Sequence, residues 1–237
     1  VDPGNPAAVA RAMFDMADMV GTFEKPLYVT YDASICAHGR SGKTGCTNCL
    51  DACPAGAISS TGREIAIDPG ICGGCGSCAA HCPTGAVSYR YPERGSQIRK
   101  LQALLGTYRE AGGKDAVLLV HESQHGGDII TALARLGEGL PGNVLPHGAH
   151  SVTSFGHDAM LAAVLAGARR IVFLCPPSKA HELDALRMEI ELSESLLAGM
   201  GHQADGAFAI AVEDDPEAVT GYFGLRPNAL AVRAASF

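Results

Sequence analysis

The chain has no tryptophan, and aromatic residues make up only 5% of its 237 positions. Its core must therefore come from small and aliphatic side chains, and a hydrophobic content of 47% is enough to build one. Ala, Gly and Leu dominate, which suits helices packed on a sheet. No apolar run reaches 18 residues, so no membrane span is predicted. A secretion signal and a twin-arginine stretch are also missing. Positive charge is in deficit: 18 Lys and Arg face 25 Asp and Glu, for a formal charge of −7. That balance argues against non-specific binding to nucleic acid or an anionic membrane surface. The first residue is Val1 rather than Met, and its neighbours read as a linker, so a longer parent protein is expected.

What stands out against this background is cysteine. Eight of the nine cysteines fall in two runs. Cys72, Cys75, Cys78 and Cys82, followed by Pro83, form a C-x2-C-x2-C-x3-C-P run. Cys46, Cys49 and Cys53, followed by Pro54, repeat most of it, with Cys36 upstream. This spacing wraps a [4Fe-4S] cube: three thiolates come from one tight loop and the fourth from the short turn that Pro ends. Paired zinc sites need only C-x2-C pairs, without the third Cys or the C-P ending. Disulfides are not expected in a chain of this size without a secretion signal. The glycines Gly70, Gly73, Gly74 and Gly76 let backbone N–H groups approach the sulfurs, which favours low-potential clusters.

The runs are an internal repeat. A shift of 29 residues carries Cys46, Cys49 and Cys53 onto Cys75, Cys78 and Cys82, and Pro54-Ala55-Gly56-Ala57 onto Pro83-Thr84-Gly85-Ala86. Residues 28–92 thus resemble the bacterial-type dicluster 2[4Fe-4S] ferredoxin domain. In such ferredoxins the fourth Cys of each run ligates the other cluster. The resemblance implies one cube on Cys36, Cys46, Cys49 and Cys82, and a second on Cys72, Cys75, Cys78 and Cys53. One departure stands out: the shift places the first ligand at Lys43, whereas Cys36 lies seven residues earlier, so the first loop carries an insertion. Without Cys36 that site is left with a three-iron cluster or an open iron. The insertion, residues 37–44, also fits a relaxed phosphate-binding loop. It lacks that motif's preceding strand and long following helix, and reads better as a solvated loop. Its Arg40 and Lys43 are placed to offset a cluster's charge or dock an acidic partner. Eight thiolates around two cores of about +2 each take the formal charge to roughly −11.

Residues 6–20 have a helical apolar pattern, and short strands are predicted at 27–31, 64–67 and 86–91. Residues 90–95 break the pattern, giving domains 1–94 and 95–237. Beyond the break, helices are predicted at 96–111, 128–138, 158–166 and 178–199, and strands at 117–120, 143–146, 171–174 and 207–212. The fold class is therefore an α+β dicluster ferredoxin-like domain followed by a small α/β doubly wound parallel-sheet domain of about four strands.

Ligands of open parallel sheets sit beyond the carboxyl ends of the strands. Here those ends carry His121 with His125, His147 with His150, and Cys175, with His157 and His181 nearby in sequence. Residues 115–200 resemble the methyl-viologen-reducing hydrogenase delta subunit family, whose members accompany hydrogenases, formate dehydrogenases and heterodisulfide reductases. Only Cys175 matches a cysteine of that family, so its [2Fe-2S] cluster is not carried over. Three readings of the strand ends stay open. They are polar loop residues beside a small buried Cys, a docking platform that has lost its cluster, or a metal site of His121, His147 and Cys175 suited to zinc.

The expectation is an iron–sulfur electron-transfer protein with two [4Fe-4S] clusters in a bacterial cytoplasm. It would relay single electrons to or from a redox partner, and the resemblance implies hydrogenase or formate dehydrogenase subunits. The alternatives are a redox enzyme with a small-molecule or metal site at the strand ends, and an iron–sulfur regulatory sensor.

Overall fold

The computed structural model describes residues 4–21, 24–39, 45–202, 204 and 206–224. Helix α1 (Pro6–Asp18) opens on a capped turn. Asn5 Oδ1 accepts the N–H groups of Ala7 and Ala8, each at 3.1 Å, and Pro6 occupies a first-turn position that needs no N–H partner. No residue of α1 is buried, and Met13, Phe14 and Met16 stand in solvent.

The cysteine runs lie among short elements: β1 (Val29–Tyr31), α2 (Asn48–Asp51), β2 (Ile58–Ser60), β3 (Ile65–Ile67), α3 (Ser77–Ala80) and β4 (Val87–Tyr89). β1 pairs antiparallel with β4, Val29 facing Tyr89, and β2 pairs antiparallel with β3, Ile58 facing Ile67. Ile58, Ile65, Val87 and Tyr89 form a small core around Cys49 and Cys78. The repeat in sequence is thus a repeat in structure: α2 carries Cys49 and α3 carries Cys78, each on a four-residue turn that ends two residues before the next cysteine.

The second half alternates helices and strands: α4 (Arg94–Glu110), β5 (Ala116–Glu122), α5 (Ser123–Leu136), β6 (Val144–Ala149), α6 (His157–Ala166), β7 (Ala168–Cys175), α7 (Asp184–Gly199), β8 (Phe208–Val212) and α8 (Pro216–Thr220). All four strands run parallel, in the order β6-β5-β7-β8. Strand pleating sends alternate residues to opposite faces, which gives two cores. Leu118, Val120, Ile171 and Phe173 pack against α4, α6 and α7. Val117, Leu119, Val172 and Leu174 pack against α5 and α8. The sheet is therefore covered on both faces, as the apolar runs in β5 and β7 require.

The long helix expected over 178–199 is two pieces. Residues Pro177–Glu182 form a 3-10 turn, and α7 begins only at Asp184. Leu183 is 1% exposed and pins the junction in the core. The turn before it runs along the carboxyl edge of the sheet, where Lys179 reaches Glu122 at 2.7 Å.

The cysteine-bearing module sits on that same edge. Helix α3 packs against α7 and against the 3-10 turn Val152–Ser154 that follows β6. Gly156 approaches α3 so closely that a Cβ there would lie 3.3 Å from Ala80 Cα. Arg94 at the start of α4 pairs with Asp158 in α6. No helix among the described residues is long and apolar enough to cross a membrane.

Candidate metal centres

Two separate cavities are lined by four cysteines each. Cys36, Cys46, Cys49 and Cys82 surround the first, and Cys53, Cys72, Cys75 and Cys78 the second. Cys82 follows the second run's turn yet faces the first cavity, while Cys53 of the first run faces the second. The insertion does not keep Cys36 away. The N–H of Gly45 donates to the His38 carbonyl at 2.7 Å, closing the loop beside Cys46. Arg40 and Lys43 lie outside the described residues, as does most of the stretch that fits a phosphate-binding loop. The helix after it, α2, has four residues and belongs to the cysteine cavity.

Backbone amides point at the sulfurs. Ala57 N–H donates to Cys53 Sγ and Val87 N–H to Cys82 Sγ, each at 3.3 Å, and His38 N–H reaches Cys36 Sγ at 3.5 Å. The first two are close counterparts rather than the same bond: the repeat carries Cys53 onto Cys82 and Ala57 onto Ala86, one residue before Val87. Burial raises the Cys82 thiol, but the Val87 amide and the Thr84 hydroxyl outweigh it, leaving its pKa below the ordinary value. The most enclosed thiols go the other way. Burial, and then the charges of Cys82, Cys46 and Cys36, push Cys49 from 9.0 up to about 11. Burial, and then Cys75, Cys53 and Cys72, push Cys78 upward. Cys49 and Cys78 thus resist ionising unless positive charge enters the cavity beside them.

That donor set fits an iron–sulfur cube. All nine cysteines are free of disulfides despite the close grouping of eight. Among the described residues, no three Cys, His, Asp or Glu side chains close on a point as a single ion requires. A lone zinc with bonds of about 2.3 Å draws its sulfurs into near contact. A cube attaches each thiolate to a different iron and needs the wider spacing.

The match that decides the segment comes from family comparison. Residues 44–86 match the 4Fe-4S dicluster domain. This supports a ferredoxin-type segment, [4Fe-4S] cofactors and iron–sulfur electron transfer. The matched stretch includes seven of the eight cavity cysteines and leaves out Cys36. It does not reach the α/β domain, so the resemblance to the hydrogenase delta subunit family gains no support from it. No curated protein and no solved structure matches the chain.

The structure does not bring the three strand-end residues His121, His147 and Cys175 to one point. His121 follows Val117 and Leu119 on the α5 face and lies so close to α5 that a Cβ on Gly126 would meet it at 2.4 Å. His147 and Cys175 alternate onto the opposite face, with Leu145 and Phe173 respectively. The register places His147 beside Val120 and Leu174 beside His121, so Cys175 sits two rungs further along and beyond an intervening strand. Each residue is also otherwise engaged. His121 Nδ1 lies 3.0 Å from the Glu122 carbonyl, and His147 packs edge-on against Phe155. Burial, then Lys100 and His121, lower His147 to about 4. Cys175 is 1% exposed, and burial, followed by Glu122, pushes its thiol up to about 12, which leaves it inert as a nucleophile. His125 pairs with Asp214, His157 with Glu189, and His150 stacks on Tyr28.

What occupies the strand ends instead is the second cysteine cavity, whose far wall includes Ser151, Lys179 and Glu182. Several contributors there carry no sequence signal. Thr153 Oγ1 donates to the Cys75 carbonyl at 2.9 Å, and Tyr89 O–H donates to the Gly74 carbonyl at 2.7 Å. Buried Glu189 accepts from the N–H and Nδ1 of His157, each at 2.7 Å, and lies 3.5 Å from His81, the residue before Cys82. His38, 1% exposed, places Nδ1 2.7 Å from the Cys46 carbonyl and Nε2 2.7 Å from Ser60 Oγ.

Proposed function

We propose that this chain is an electron-transfer protein holding two [4Fe-4S] clusters, the first on Cys36, Cys46, Cys49 and Cys82 and the second on Cys53, Cys72, Cys75 and Cys78. The observation that carries the reading is the pair of four-cysteine cavities with exchanged fourth members. The bound cubes supply one-electron chemistry. The chain directs the Ala57 and Val87 amides at sulfur and fixes the ligand turns against a small core. The α/β domain serves as the platform beside the second cluster. A larger oxidoreductase of hydrogenase or formate dehydrogenase type is the partner, and a reducing cytoplasm is the setting.

Anaerobic reconstitution with iron and sulfide tests this directly. Metal and acid-labile sulfide analysis should give about eight irons per chain, with little zinc, and EPR of the reduced protein should show two interacting clusters. About seven irons removes Cys36 from the ligand set. No iron and no labile sulfide, with all thiols titratable, ends the reading. The partner is tested separately: reduced holoprotein should be reoxidised by such an oxidoreductase while showing no turnover alone.

A further inference from the structure

The two halves of the repeat solve one local problem in different ways. Cys46 and Cys75 are equivalent under the 29-residue shift. Each is the ligand just before a turn, and its carbonyl cannot be satisfied within the turn it precedes. In the first half, His38 Nδ1 sits on the Cys46 carbonyl at 2.7 Å, so the anchor comes from the loop insertion itself. The second half has no insertion. There the Cys75 carbonyl accepts the Thr153 hydroxyl at 2.9 Å, and Thr153 belongs to the α/β domain, 78 residues away.

The fit around this contact is close. Thr153 is 4% exposed, and its hydroxyl also meets Ser151 Oγ at 2.9 Å. Its neighbour Ser154 lies against Gly76, where a Cβ would approach Ser154 Cβ to 2.6 Å. Gly76 also has φ of +79°, so both its backbone and its packing demand glycine.

We propose that Thr153 is a positioning residue of the second cysteine cage, and that through it the α/β domain sets the reduction potential of the cluster held there. The inference rests on the electron-transfer reading above. A carbonyl carries partial negative charge, and negative charge near a cluster opposes its reduction. The Thr153 bond holds the Cys75 carbonyl turned to the α/β domain. Without that bond the carbonyl is free to swing toward the sulfurs, and the second cluster becomes harder to reduce. The first cluster, anchored by His38, does not depend on the α/β domain in this way.

The test is a redox titration of the reconstituted full chain followed by EPR, comparing wild type with Thr153→Val and Thr153→Ser. Valine keeps the shape and removes the donor; serine restores it. Iron content is measured first, because a chain with no clusters overturns the electron-transfer reading itself, and this inference with it. With eight irons present in all three proteins, Thr153→Val should move the midpoint of one cluster to more negative potential and leave the other unchanged. The affected reduced-to-oxidised ratio should change by about fivefold, the scale of one hydrogen bond. Thr153→Ser should titrate as wild type. Identical midpoints in Thr153→Val and wild type, or equal movement of both clusters, overturns the proposal. Loss of iron from the second cage in Thr153→Val, reversed in Thr153→Ser, supports it as the stronger form of the same dependence.

Discussion

The two cysteine cages descend from one repeated pattern, yet they sit in different surroundings. The first is tight, with about 10 Å³ of open space, and is walled by its own module. The second opens into a cavity of about 430 Å³ whose far side is the carboxyl edge of the parallel sheet. Each cage is set by four cysteines, so the additional room at the second lies where it meets the sheet edge. The same contrast appears in the anchors. His38 serves the first cage from inside the ferredoxin-like module, and Thr153 serves the second from outside it. The comparison teaches that duplicated cysteine spacing preserves a foursome of thiols while leaving its environment free to diverge.

The contrast can be broken most severely at the exchanged ligands. Cys53→Ala should disrupt the second cluster, although Cys53 belongs to the first run, and Cys82→Ala should disrupt the first. Iron should fall by up to about four per chain, with the EPR change confined to one cluster. If Cys53→Ala alters the cluster that Cys46 holds, the exchange is wrong. A smaller effect is expected in kinetics: a chelator such as bathophenanthroline should strip the second cage faster than the first, followed by loss of the corresponding EPR signal. Equal rates would remove the significance of the larger cavity. Next, His38→Ala should cost about 1–2 kcal/mol, because it removes the bonds that buried His38 makes to the half-buried Cys46 carbonyl and to the exposed Ser60 hydroxyl. Thermal melts of the holoprotein measure it. The smallest change is Tyr89→Phe, which removes the bond to the Gly74 carbonyl and should cost about 1 kcal/mol, read the same way.

The grouping of eight cysteines into two foursomes was legible in their spacing, because the repeated run brings its members to one short loop and turn. The alternation of strands and helices was legible too, since β5 and β7 are apolar throughout and must be covered on both faces. Strand β2 escaped notice because Ser59 and Ser60 are polar and exposed, so only Ile58 marks it as a strand. Helix α8 is too short to show a period. The break at Leu183 was hidden because the apolar pattern runs straight through it. The strand-end histidines and Cys175 misled because sequence gives a strand's end but not its face: one residue of pleat separates His121 from the other two. Thr153 and Glu189 are ordinary residues whose importance arises only when two distant segments meet. His38 lay within a stretch that fits a phosphate-binding loop, and its buried role depends on the insertion folding back.

Helix α3 has a further consequence. Cys78 lies on this short turn and Cys82 two residues past its end, and each faces a different cage. Backbone bonds from His81 N–H to the Ser77 carbonyl at 3.0 Å and from Cys82 N–H to the Ala79 carbonyl at 3.3 Å tie the two together. With both cages loaded, the spacer between them is rigid and common to both. Exchange of an electron between the two would then need no rearrangement of the chain, and the pair would come to internal balance before any partner departs.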